Sequence, residues 1–145
     1  MSGTFLGQFK NSISNRRVSI PQALRDQFSP ASKNKVVAVR GRHNTIYIFP
    51  LDNWKELEAR LEQGDGNEKT LLKAFRLYAA MLTIEGPGRI LLPKNLVEMA
   101  GITDKVIFLG EGKYFSLWND KNFEKHLLEA DKTYDQILQG NAHLL

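Results

Sequence analysis

Short alternating runs and amphipathic stretches of helical period divide the chain into elements. Phe5 to Ile13 alternates loosely between apolar and polar side chains and is expected to be a strand, ended by a polar turn at Ser14-Asn15. Arg17 to Ile20 makes a second short strand. Pro21 suits the first position of a helix, where its missing N–H costs nothing, so PQALRDQF is expected to form about two helical turns. After the loop SPASKN, the runs KVVAVRG and TIYIFP read as the arms of a hairpin turned by GRHN. Leu51 to Glu62 places Trp54, Leu57 and Leu61 on one helical face, with Asp52 as its expected N-cap. The Gly-rich break QGDGN at 63–67 follows, and beyond it Leu71, Phe75 and Tyr78 return at helical spacing.

The pattern then begins again. MLTIE reads as a strand, Gly86-Pro87-Gly88 as a turn, RILLP as a strand ending in proline, and KNLVEMAG as a short helix closed by glycine. KVIFLGEGKYFSLWN forms a hairpin with its expected turn at Gly110-Glu111-Gly112, and the helix NFEKHLLEAD echoes NWKELEARLE. Arg17 matches Arg89, Pro21 matches Pro93, Lys35 matches Lys105, Phe49 matches Trp118, and Asn53-Trp54 matches Asn122-Phe123, with an offset drifting from 72 to 69. Ordered matches of this kind define an internal duplication. The expected division is a first repeat at 5–53, a helical connector at 54–78, a second repeat at 79–123, and a C-terminal helix and tail at 124–145. Four strands and a short helix leave an apolar face open, so the two copies should interlock into one core with pseudo-twofold symmetry. Phe49, Trp54, Trp118 and Phe123 belong to cores beside the hairpins.

Composition narrows the class. The 145 residues are 42% hydrophobic and 25% charged, as in a soluble folded protein. No apolar run approaches the ~18 residues of a membrane span, the first residues lack a secretory profile, and a cytoplasmic protein is expected. With no cysteine, disulfides and thiolate metal sites are excluded. His43, His126 and His143 lack ligand spacing, so neither metal nor cofactor is expected. No Ser-His-Asp, Cys-His or metal constellation can be assembled, which argues against an enzyme and a small-molecule substrate. Charge is uneven: residues 1–50 hold eight Lys and Arg against one acid, and the rest hold twelve against fifteen. That asymmetry points to a polyanion. Two basic turns related by a pseudo-dyad suit a ligand of repeating charge such as a nucleic-acid backbone.

The candidate contacts are therefore the arginine turns. A carboxylate at the start of a turn can accept turn N–H groups and orient a guanidinium, which is the part assigned to Glu85 beside Arg89. An oriented arginine can read the O6/N7 edge of guanine, a contact worth ~1–3 kcal/mol of discrimination. The plain alternative is a surface ion pair worth ~0–1 kcal/mol. In the first turn Arg16 beside Arg17 exchanges the ordering acid for extra charge, favouring backbone contact. Arg25 and Lys94 are secondary candidates that could flank a groove or simply be exposed helix charges. Arg40 and Arg42, astride Gly41, could touch phosphate or a neighbouring subunit.

FLGQF, RRVSIP, YIFPLDNW, GRILLP and LWNDKNF, in this order and duplicated, resemble the MraZ family. The resemblance spans nearly the whole chain. It implies two AbrB-like swapped-hairpin repeats, a mainly β protein with flanking helices and a pseudo-twofold barrel of double-ψ type. It further implies a nucleoid-associated bacterial transcriptional regulator that assembles into homo-oligomeric rings. Such proteins act on double-stranded DNA at short direct repeats upstream of a cell-division and cell-wall gene cluster. The family signature, Asp-x-x-x-Arg in each repeat, is met conservatively by Glu85 and Arg89. In the first repeat the acid's place falls on Ile13 or, with a turn one residue shorter, on Ser14, and Arg16 takes the usual glycine position. Related classes are an AbrB-like antitoxin, which usually carries one repeat and a long acidic tail, and a ring-forming scaffold with incidental DNA binding.

Overall fold

The computed structural model describes residues 1–145. The chain begins with β1 (Gln8–Ser14), β2 (Arg17–Ser19), α1 (Gln22–Arg25), β3 (Lys35–Arg40), β4 (Ile46–Pro50) and α2 (Leu51–Glu62). After α3 (Gly66–Tyr78) the order recurs as β5 (Ala80–Thr83), β6 (Arg89–Leu91), α4 (Lys94–Ala100), β7 (Lys105–Gly110), β8 (Phe115–Trp118) and α5 (Asp120–Gly140). No helix is long and apolar enough to cross a membrane.

All strand pairs are antiparallel, in the order β5-β3-β4-β8-β7-β1-β2-β6. A bridge between Glu85 and Arg89 links the segment after β5 to β6, so the barrel is nearly closed. Pairing is exchanged between repeats: β1 runs beside β7, and its counterpart β5 runs beside β3. Two ladders cross the pseudo-dyad itself. In β2–β6, Arg17 faces Leu91, Val18 faces Ile90 and Ser19 faces Arg89, which is symmetric about the Val18–Ile90 pair. In β4–β8, Tyr47 facing Ser116 is the second central pair. The barrel interior draws on both repeats, with Val18, Ile20 and Leu24 packed with Ile90, Leu92 and Leu96. Outside it, Phe49 and Trp54 pack with Val37 and Val39 under α2 and α3, while Trp118 and Phe123 pack with Ile107 under α5. The four aromatics are core residues, as expected, in two clusters outside the barrel.

Several local expectations change. The first helix has a single turn, Gln22–Arg25, because Phe28 turns inward toward Phe5 and Phe115 and draws the chain away. Phe5 lies outside β1, separated by Gly7 at φ 86°, and bridges Gly112 instead. The second hairpin turns one step later than expected, with the Glu111 N–H bonded to the Tyr114 carbonyl at 2.9 Å. The final helix continues to Gly140.

Asp52 is not an N-cap. Pro50 holds that position without a side-chain bond, and the Asp52 carboxylate instead accepts hydrogen bonds from Ser2 N–H (2.6 Å), Ser2 Oγ (3.0 Å) and Ser29 Oγ (2.9 Å). True caps form where polar residues end turns, at Asp65 for α3 and Asn119 for α5. Burial alone would push the Asp52 carboxyl up, but the bonds from Ser29 and Ser2 outweigh it and hold the group below its ordinary value. A carboxyl depressed in the fold contributes stability above its unfolded pKa of about 3.9, and that contribution is lost as pH falls further. Asp52→Asn should therefore flatten the acid limb of the stability profile below about pH 4 and cost about 1–3 kcal/mol at neutrality. Urea midpoints between pH 7 and pH 3 test this, and an unchanged acid limb would count against it.

Candidate nucleic-acid interface

The two arginine turns differ in length. Ser14 pairs with Arg17 across the two-residue turn Asn15-Arg16, whose φ values of 51° and 63° suit a twisted hairpin. Glu85 pairs with Arg89 across three residues, with Gly86 at φ 51° and Gly88 at φ 112°. The first turn is one residue shorter, so Ser14 and not Ile13 stands where the acid would be. Arg16 occupies the left-handed position that glycine holds in the second turn.

Each turn is pinned by the other repeat. The Ile20 N–H donates to the Gly88 carbonyl and the Leu92 N–H donates to the Arg16 carbonyl, both at 2.8 Å. Arg16 also donates from Nη1 to the Leu92 carbonyl at 2.9 Å, so this guanidinium braces the fold. Arg25 bonds the Pro87 carbonyl and, at 2.6 Å, Gln22 Oε1, which draws its side chain over the second turn. The sequence offered Arg25 as a groove-flanking charge or a plain exposed one, and in the fold it makes this bracing contact. Glu85 differs from expectation too. Its carboxylate accepts no turn N–H and no bond from Arg89; its backbone does the work, with Arg89 N–H donating to the Glu85 carbonyl at 2.9 Å and Glu85 N–H to the Arg89 carbonyl at 2.7 Å.

Arg17 and Arg89 remain free. Both are exposed, and neither forms a side-chain hydrogen bond or ion pair. Alternation along the strands turns Val18 and Ile90 inward and both arginines outward on the same face. In the β2–β6 register they are diagonal neighbours, with Cα atoms about 7–8 Å apart. They line one shallow depression of about 290 Å³ with Ser12, Ser14, Asn15 and Ser19, and no apolar side chain contributes. Lys105 reaches Ser12 Oγ at 3.0 Å, adding a basic group at its edge. The polar alternation Lys10, Ser12, Ser14 on β1 signalled this face in the sequence, but Lys105 could be placed there only through the β1–β7 pairing.

The remaining candidates make other contacts. Lys94 stands 3.9 Å from Glu98 on exposed α4. Arg40 ends β3 at the far end from Lys35, about 17 Å along the strand, and Lys35 rather than Arg40 neighbours the second turn through Thr83. Arg40 lies over the Tyr78 ring at 5.9 Å, and Arg42 follows it in the same region. These two therefore face a different surface from Arg17 and Arg89.

A barrel made of two exchanged hairpin repeats, with an arginine from each repeat beside the pseudo-dyad, defines a protein of the AbrB-like swapped-hairpin class. The comparisons are more specific. The model of the MraZ protein family, described as antitoxin-like, matches residues 14–74 and again 77–139, and the chain belongs to the MraZ family. A protein of Syntrophomonas wolfei named transcriptional regulator MraZ is 30% identical over 97% of this chain and 98% of its own length. Proteins of the same name from Treponema denticola and Rickettsia akari are each 32% identical, covering 92% and 88% of this chain and 94% and 89% of their own.

Gly88 is the tightest point of the site. Its φ of 112° disfavours any side chain, and a Cβ there would strike the Arg25 side chain. Gly88→Ala should cost about 1–3 kcal/mol. Gly86→Ala, at φ 51° with open space around it, should cost less, about 1–2 kcal/mol. Paired urea denaturation curves give the comparison, and equal costs would remove the Arg25 clash as a cause.

Proposed function

We propose that this chain is a sequence-specific DNA-binding transcriptional regulator without catalytic activity, working at the nucleoid in the cytoplasm. The observation that carries the reading is the pair of unpartnered arginines, Arg17 and Arg89, in one polar depression beside the pseudo-dyad. Free guanidinium groups on a rigid ladder lose little freedom when they meet phosphate or a guanine edge. The names of the relatives add transcriptional regulation. The operator is a set of short direct repeats upstream of a cell-division and cell-wall gene cluster, and a homo-oligomeric ring presents several arginine pairs to it. Weak single contacts then gain through avidity. Arg16, bonded to the Leu92 carbonyl, and Glu85 act by shaping the turns, and Arg17 and Arg89 touch DNA.

Selection from random duplex DNA at physiological salt tests this reading. Wild-type protein should enrich a repeated short motif, and the Arg17→Ala/Arg89→Ala variant should not. Each single variant should weaken binding roughly tenfold, as for loss of one good arginine contact. Both should melt like wild type, because the side chains are exposed and make no bonds. Affinity should fall steeply between roughly 50 and 200 mM salt. Enrichment of no motif would favour the scaffold alternative.

A further inference from the structure

The arginine pair sits at the centre of a longer basic row that the pseudo-dyad builds in two halves. In the β1–β7 ladder Ser12 faces Lys105, and in the β3–β5 ladder Thr83 faces Lys35. The two pairs are equivalents, because β5 is the counterpart of β1 and Lys35 matches Lys105 in the duplication. Side chains opposite each other in a ladder share a face, as do residues two apart along a strand. Ser12 therefore lies on the face of Ser14, which pairs with Arg17, while Ile13 between them turns into the core. Thr83 lies on the face of Glu85, which pairs with Arg89, and Ile84 between them turns into the same core. The contact from Lys105 Nζ to Ser12 Oγ, at 3.0 Å, agrees with this placement.

Both lysines end the open part of this face. The next outward residue on β3 is Val37, buried under α2 and α3, and on β7 it is Ile107, buried under α5. Neither lysine forms an ion pair, whereas Lys10, on the same face of β1, is held by Asp120 of α5 at 2.6 Å. Glu85 and Asp104, the acids beside the row, also pair with no cation. From Lys105 to Lys35 the wall runs β7-β1-β2-β6-β5-β3, and its five strand spacings separate the lysines by about 24 Å across the strands. The arginines, with Cα atoms about 7–8 Å apart, fit inside a major groove about 12 Å wide. The lysines fall outside that width, where the phosphates lie.

We propose that Lys35 and Lys105 are phosphate contacts, one from each repeat, that seat the arginine pair over the major groove of duplex DNA. This rests on the DNA-binding reading above and divides the work between residues. The lysines position the protein on the backbone, and the arginines read base edges. A lysine ammonium is a point charge on a flexible stem, which suits a phosphate better than a bidentate base edge.

Fluorescence anisotropy on the full-length protein, with a selected duplex and a random one, tests the assignment between roughly 50 and 200 mM salt. Lys35→Gln and Lys105→Gln should each reduce the slope of log affinity against log salt by about 0.9, and the double variant by about twice that. Each should weaken both duplexes by the same factor and leave the selected motif unchanged. Lys35→Arg and Lys105→Arg, which keep the charge, should keep the slope. Lys132→Gln removes the same charge from the exposed end of α5 and should also bind with the wild-type slope. All these variants should melt like wild type, so that a lost contact is read apart from unfolding. Wild-type slopes in both glutamine variants of the row, an equal fall in Lys132→Gln, or a changed motif would overturn the lysine assignment and leave the arginine reading standing. A wild-type protein without affinity for duplex DNA would overturn both.

Discussion

Backbone pairing across the pseudo-dyad governs everything else in this molecule. β1 finds its outer partner in β7 and β5 finds its own in β3, so neither repeat can satisfy its strands alone. Buried N–H and C=O groups left without partners are expensive, so folding of one repeat requires the other. The same exchange fixes the turns. The Gly88 carbonyl is held by Ile20 of the first repeat, and the Arg16 carbonyl by Leu92 of the second. The arginines project from the ladder that joins the halves, and their spacing is set by its register.

Within that shared frame the two turns divide their tasks differently. Glycine at 88 leaves room for Arg25 to lie over the second turn and bond the Pro87 carbonyl. In the first turn a side chain occupies the equivalent place, and Arg16 uses it to reach the Leu92 carbonyl. Both solutions brace a turn with a guanidinium, one from a helix and one from the turn itself. Two of the four arginines near the dyad are thus consumed by structure, which leaves one unpartnered arginine per repeat.

Much of this was legible in the sequence because repetition carries its own register. The offset of 72 between Arg17 and Arg89 reappears as the symmetry of the β2–β6 ladder. The aromatic matches Phe49 with Trp118 and Trp54 with Phe123 reappear as the two outer clusters. What failed depended on partners distant in the chain. Asp52 had the composition and place of an N-cap, but Ser2 and Ser29 compete for its carboxylate and win. Arg25 and Arg16 looked like solvent-facing charges because the carbonyls they bond lie more than sixty residues away. Glu85 was assigned a carboxylate role that its own carbonyl performs. The equivalence of Asn53 and Asn122 was visible, but the carbonyls they hold were not.

Divergence within symmetry has a consequence for assembly and for reading DNA. A chain with two identical halves would present the same patch twice and would have no direction. Here one groove is lined by His43, Trp118 and His126 while its counterpart is lined by Phe49, Leu57 and Phe75, so the two flanks of the barrel are unlike. Unlike flanks permit head-to-tail contact, in which every copy keeps the same orientation around a ring. The arginine turns are unlike in the same sense, one tight with Ser14 at its start and the other broader with Glu85. On the proposed reading, copies that share one orientation meet DNA with their turns in the same order. Repeats arranged in the same direction, and not inverted, are then the natural target.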